Sequence, residues 1–283
     1  MSSILAVMVV YKHAIADLAT IRSLVAAAPA GLAGRRFKLV IYDNSPERQP
    51  PALGWPFPTE YVHNPANPGV ARAYNHAAAI ARDEGFDFLL LLDHDSAFTA
   101  EYLRRLVETL DAHAGADDIV AFVPRMFHGE RLFSPSRVLW GGIHRPIDQS
   151  HVGVYRGDIM AIGSCTVVRR SFMEGLGGFN EVFWLDCLDR WLFHMIHARG
   201  RQVYVLDAAV RHELSIFDFD RLMNEQRYRN QLTYETLFMR SYRSRLENLV
   251  FRVRLLKRAL VLLFAARNAR YCMITLKHLL APR

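Results

Sequence analysis

Apolar residues along this chain gather into short dense runs, and between the runs they recur every three or four positions. ILAVMVVY (4–11) and FKLVIYDNS (37–45) are rich in β-branched residues and read as strands covered on both faces, with Ala, Leu and Ile at helical spacing over 17–28 between them. The alternation continues through a helix in GVARAYNHAAAIARDEG (69–85), a strand in FDFLLLLD (86–93), a helix over 100–113 and the strand DIVAFVP (118–124). Strands taken in turn with helices predict an α/β fold, its sheet mostly parallel and flanked by helices on both faces.

The periodicity then lapses. Residues 125–158 are dominated by Gly, Pro, His and Arg and predict loops or short hairpins framing a substrate. Regular pattern returns as a strand in IMAIGSCTVVR (159–169), a helical turn or two around Phe172, a helix from about 185 to 199 stopped by Gly200, and the strand RQVYVLD (201–207). Beyond His212 the spacing is helical almost to the end, so a sheet-bearing domain is expected over 1–215 and a helical C-terminal extension over 216–283.

Composition narrows the class. Of 283 residues, 51% are hydrophobic and 22% charged, the balance of an ordinary globular protein rather than a disordered one. Cys165, Cys187 and Cys272 lie far apart with no C-x-x-C pair, which argues against a disulfide framework or cysteine-bound zinc and for a reducing cytoplasm. The first residues form no basic leader, and the apolar run at 259–266 is too short to span a bilayer, so neither a signal peptide nor a transmembrane helix is expected. The net charge of +7 is concentrated at one end: residues 240–283 hold eleven Lys and Arg against one acid, Glu247, a local +10 against −3 for the remainder.

Candidate chemistry begins where a buried strand meets two acids. In LLLLDHDS (89–96), Asp93 and Asp95 stand two apart just past a strand end, where the diverging loops of an open parallel sheet leave a crevice for ligands. Tyr11 and Asp43 fall at other strand ends on that side. Paired carboxylates suit a hard divalent cation, Mg²⁺ or Mn²⁺, shared with the phosphates of a substrate. A helix opening at Gly69 and carrying Arg72 offers amide N–H groups and a charged fork to a phosphate. The same residues also read as turns and caps, with Asp43 in a plain turn, Asp95 or Ser96 capping the next helix and Arg72 solvated. His194 and His197 share a helix face, but with no third ligand at matching spacing they read as packing or surface residues.

The order of the motifs says more than any one of them. VVY (9–11), YDNS (42–45), NPANPGVARAYNHA (64–77), LLLLDHDS (89–96), GSCTVVRRSFMEGLGGFNEVFWLDCLDRWLFHMIHARG (163–200) and VRHELS (210–215) follow one another, and the succession resembles the family 2 inverting glycosyltransferases of GT-A fold, nearest to their rhamnosyltransferase-like branch. The resemblance implies a GT-A, Rossmann-like domain with a nucleotide-binding half over about 1–124 and an acceptor half over about 125–215. It places Tyr11 and Asp43 against the nucleobase, Gly69, Arg72, Asn75 and Asp93 along the nucleotide sugar, and Asp93, Asp95 and His212 on the metal. It aligns Asp189 with the carboxylate that takes the acceptor's proton. Asp186, three residues earlier and expected on the same helical face, would orient the acceptor. Relatives carry acids where this chain has Leu188 and Trp191.

The implied activity is metal-dependent transfer of a sugar, foremost rhamnose from dTDP-rhamnose, from a nucleotide-diphosphate donor to a saccharide or lipid-linked saccharide acceptor in cell-surface polysaccharide synthesis. One rival is a non-catalytic nucleotide-sugar-binding or scaffold protein of the same fold, suggested by Leu188 and Trp191. Another is a nucleotidyltransferase, against which VVYKHAIADL offers no glycine after the first strand. The basic tail supports two accounts equally, an anionic membrane surface at the inner face, or a homo-oligomer contact or packing on the catalytic domain through its helices. Its arginines form no single stripe: Arg245, Arg252, Arg270 and Lys277 share a side, with Arg254 and Arg258 nearly opposite. No nucleic-acid-binding motif occurs, so nucleic acid is not an expected partner.

Overall fold

The computed structural model describes residues 1–32, 34–50, 54–211, 224–264 and 268–280. β1 (Ile4–Val10) and β4 (Phe88–Leu92) pair in parallel in the middle of a nine-stranded sheet, and of their residues only Val9 is not buried. That double cover is why both sequences are apolar without alternation. Ile4, Ala6, Met8 and Val10 join a core with Leu24 of α1 (Ala19–Gly31) and Leu106 of α3 (Ala100–Ala112). The alternate residues Leu5 and Val7 face the other side, where α2 (Val70–Asp83) packs.

The strand order is β3 (Thr59–His63), β2 (Phe37–Asp43), β1, β4, β11 (Thr166–Arg169), β5 (Ile119–His128), β12 (Gln202–Arg211) and β9 (Gly153–Tyr155), with β6 (Arg131–Ser134) paired to β5. β3, β2, β1 and β4 are mutually parallel, as are β5 and β12; β11 runs antiparallel between the two groups, and β6 and β9 are antiparallel additions. The mostly parallel, helix-flanked sheet read from the sequence is therefore the one present.

Several boundaries differ from expectation. β3 was not foreseen, because TEYVH is a half-exposed edge strand without a dense apolar run. The single strand expected over 159–169 is two, β10 (Ile159–Met160) and β11, separated by a turn in which Cys165 has φ 59°. β10 pairs instead with Ser136 and Arg137 of β7 (Ser136–Leu139), which forms a short hairpin with β8 (Ile143–Pro146). After α4 (Arg170–Leu176), the helix expected from about 185 begins later, as α5 (Leu188–Ala198). Cys187 takes a left-handed φ of 67° ahead of it, so Asp186 sits in the preceding turn, and Asp186 and Asp189 do not share a helical face.

The chain divides into two compact units, one of Met1–Arg137 with Pro146–Glu213, the other of Val138–Arg145 with Leu214–Arg283. In the second unit, α6 (Glu225–Tyr242), α7 (Arg245–Phe264) and α8 (Ala269–Leu280) bury Leu232, Phe238, Phe251, Leu255 and Ile274. Polar pairs tie the helices together. Arg258 donates to Glu235 at 3.0 Å, Tyr228 and Thr275 hydroxyls lie 2.7 Å apart, and Thr236 meets His278 at 2.8 Å.

Candidate active site

Asp43 ends β2 and is completely buried. Its Oδ1 accepts from the Ser45 amide at 2.9 Å, and its Oδ2 from the Tyr61 hydroxyl at 2.7 Å and Gln49 Nε2 at 3.2 Å. The carboxylate is thus the hub of a polar floor joining β2, β3 and the 44–49 loop. Burial, then the bond to Asp43, raises the Tyr61 pKa. Tyr11, just past β1, has 43% of its surface exposed, and the Lys12 ammonium lies 5.1 Å from its ring centroid. The next residue, His13, stacks on His94 of the D-x-D segment at 4.6 Å between ring centroids. The loops after β1 and β4 therefore meet.

Two hydroxyls set the D-x-D loop. Thr20, buried in α1, donates to the Asp93 carbonyl at 2.5 Å and accepts from the Ser96 amide at 3.0 Å. Ser164 Oγ accepts from the Asp93 amide at 3.3 Å and bonds the Ser96 hydroxyl. Neither Thr20 nor Ser164 belongs to any quoted motif pattern as a site residue; each reaches the loop from a separate element, which the sequence does not announce.

The 163–165 turn links this loop to Asp189. Ser164 holds Asp93, while a Cβ built on Gly163 would lie 4.0 Å from the Asp189 Cβ. Electrostatics agrees with the geometry. The buried Tyr74 hydroxyl of α2 is pushed well above its ordinary pKa by burial and then by the charges of both Asp93 and Asp189. Burial likewise pushes the Cys165 thiol up to about 12, with Asp93 and Asp95 adding to the rise. The D-x-D loop and the start of α5 thus both border the 163–165 turn.

Asp189 is the second residue of α5, and burial raises its pKa from the ordinary aspartate value. The Arg190 amide, donating to its Oδ1 at 2.7 Å, opposes that rise only in part. A carboxylate so placed is a stronger base than one in water. Leu188 and Trp191, where relatives carry acids, are buried in the core, so these positions serve packing here.

Gly69, Arg72 and Asn75 have partners that the sequence did not foretell. Arg72 Nη1 donates to both carboxylate oxygens of Glu181, at 3.1 and 3.2 Å. The Asn75 side chain exchanges hydrogen bonds with the backbone of Phe179, at 2.9 and 2.6 Å. The Val70 amide donates to the Trp184 carbonyl at 2.8 Å. In place of an open phosphate cradle, the start of α2 holds the 178–184 loop that leads into Asp186 and Asp189. Gly69, at φ 96°, has no room for a side chain, since a Cβ there would come within 2.5 Å of the Trp184 carbonyl oxygen.

Among the described residues, no three His, Cys, Asp or Glu side chains form a ready metal cage. His212, the expected third ligand, lies outside the described residues. Asp93 and Asp95 offer oxygen donors only, a set that fits a hard cation keeping several positions for water and substrate phosphates.

A mixed, mostly parallel sheet with helices on both faces and acids gathered beyond its central strands defines a GT-A fold. The model for glycosyl transferase family 2 matches residues 6–177, and the chain belongs to that family. The crystal structure of S. aureus TarS 1-349 superposes with a TM-score of 0.50 at 11% identity, covering 98% of this chain and 91% of that one. A longer S. aureus TarS structure gives 0.48 at 12% identity over 85% of this chain and 44% of its own, so this chain spans less than half of that protein. No curated protein matches the sequence.

Proposed function

We propose that the chain is a metal-dependent inverting glycosyltransferase that moves a sugar from a nucleotide-diphosphate donor to a saccharide or lipid-linked saccharide acceptor. Rhamnose from dTDP-rhamnose, in cell-surface polysaccharide synthesis, is the donor that the motif order favours. The observation carrying this reading is the 163–165 turn, which holds the Asp93 amide through Ser164 Oγ at 3.3 Å and brings Gly163 against Asp189.

Asp189 accepts the acceptor hydroxyl's proton as that oxygen attacks the anomeric carbon, and the bond from that carbon to the diphosphate oxygen breaks on the opposite face. The raised pKa of Asp189 makes the proton transfer more favourable. Asp186, in the turn before α5, orients the acceptor. Tyr11 covers the nucleobase, and Asp43 meets its edge where Gln49 now makes the longest of three bonds. Gly69, Arg72 and Asn75 hold the 178–184 loop beside the sugar. Asp93 and Asp95, with His212, would hold a divalent cation, which when bound offsets the negative charge of the leaving diphosphate.

The test is a thermal-shift screen of nucleotide sugars with Mg²⁺ or Mn²⁺ and with chelator, followed by transfer assays on the donor that binds. Metal-dependent stabilisation by dTDP-rhamnose, and transfer lost in Asp189→Asn with donor binding kept, are the expected results. Donor binding without turnover in the unsubstituted chain would instead identify a non-catalytic binding protein.

A further inference from the structure

Helix α7 of the second unit carries two distinct apolar faces. One, with Phe251, Leu255, Ala259 and Leu262, is buried within the unit. The other faces solvent. Leu246, Leu249, Val253, Leu256, Leu260 and Leu263 are all exposed, Val253 to 61%, and their spacing alternates three and four residues along the helix, which puts them in one continuous stripe. Phe264 extends the stripe at 74% exposure.

The edges of that stripe are basic. At 100° per residue, Arg245 and Arg252 fall along one margin and Lys257 along the other, and the only acid of the helix is Glu247. A third feature sits alongside. Trp140 is 62% exposed, and the two glycines after it are fixed to α7: Arg254 Nη1 donates to the Gly141 and Gly142 carbonyls at 2.9 and 3.0 Å, and the Gly141 amide donates to Glu247 at 3.3 Å.

A stripe of this spacing could receive a second helix, but charge decides against a second copy of this chain. Paired in parallel, Arg252 would face Lys257 of its copy; paired antiparallel, like margins would meet, with Arg245 opposite Arg252 of the copy. The chemistry that complements an apolar stripe with cationic margins and an exposed tryptophan is an anionic lipid surface, where basic heads meet phosphates and the indole sits at the headgroup level. No helix among the described residues is long and apolar enough to cross a membrane.

We propose that the outer face of α7, with Trp140 beside it, is a docking surface for an anionic bilayer. This inference does not depend on the sugar-transfer reading, and its test measures no turnover. The full chain is sedimented with vesicles of phosphatidylcholine alone and with about 30% phosphatidylglycerol, at low salt and at about 0.5 M NaCl. Partition at low salt should rise roughly tenfold or more with the anionic lipid and fall back at high salt. Leu256→Glu, an exposed position whose change leaves the thermal transition in place, should lower partition by about tenfold. The Trp140→Phe variant identifies the indole contribution, a blue shift of emission on vesicles that this variant should lose. Equal partition onto neutral and anionic vesicles, or none onto either, overturns the proposal. So does a dimer in sedimentation equilibrium that Leu256→Glu dissociates while the parent chain ignores vesicles, since the occupant is then a second copy.

Discussion

As the proposed base, Asp189 has to carry a charge where burial disfavours one. Its pKa is raised by desolvation, so the folded protein holds this proton more tightly than the unfolded chain does. The linkage follows: below the ordinary carboxylate range both states are protonated, and as pH rises through that range to the raised value the folded state loses stability relative to the unfolded one. Asp189→Asn should therefore raise the melting temperature at neutral pH by about 1–3 °C while lowering turnover by roughly 10²–10⁴-fold. Calorimetry and transfer assays on the same preparation would read both. For the same reason the acidic limb of the kcat profile should lie above the ordinary aspartate pKa and be the limb set by Asp189. Gly69 has the opposite character, a residue without chemistry on which geometry depends. Gly69→Ala puts a Cβ against Trp184 at a φ of 96°, and a loss of about 1–3 kcal/mol in denaturant unfolding, with altered tryptophan emission, is the expected outcome.

The helices and strands do different amounts of positioning. α1 covers the sheet with Ile21 and Leu24, and from the same turn Thr20 fixes the backbone of the D-x-D loop through the Asp93 carbonyl and the Ser96 amide. Thr20→Val keeps the shape and removes both bonds. It should cost about 1–3 kcal/mol and raise the donor KM more than it lowers kcat, which steady-state kinetics would separate. Element type was legible wherever one period ran unbroken, as in β1, β4, α2 and α3. It was obscured where a backbone special intervened: Cys165 and Cys187, both at positive φ, break a strand and delay a helix that their apolar neighbours would have continued. The edge strand β3 lacked the doubly buried pattern and gave no comparable signal.

Across the molecule, charge is partitioned as the sequence indicated, with the basic excess in the helical unit. One of those cations is internal. Arg258 pairs with Glu235, whose side chain is almost entirely buried, and burial and the pairing act on its pKa in opposite directions with the pairing prevailing. Glu235→Gln leaves that guanidinium without its counter-charge. A loss of about 1–3 kcal/mol, less than for a fully buried pair because Arg258 is partly solvated, should appear in the calorimetric transition of the unit. Of the candidate site, the acids at the strand ends were legible because each stands directly after a dense apolar run. Thr20, Ser164, Tyr74 and Glu181 were not, since each acts from an element remote in the chain. The sequence by itself determined the alternation of elements and the family, because periodicity and motif order are written in one dimension. Only the tertiary structure decided that the 163–165 turn borders both Asp93 and Asp189, that α2 clasps the loop before Asp189 and that α7 turns a basic-edged apolar face outward, because proximity between distant segments is a property of packing alone.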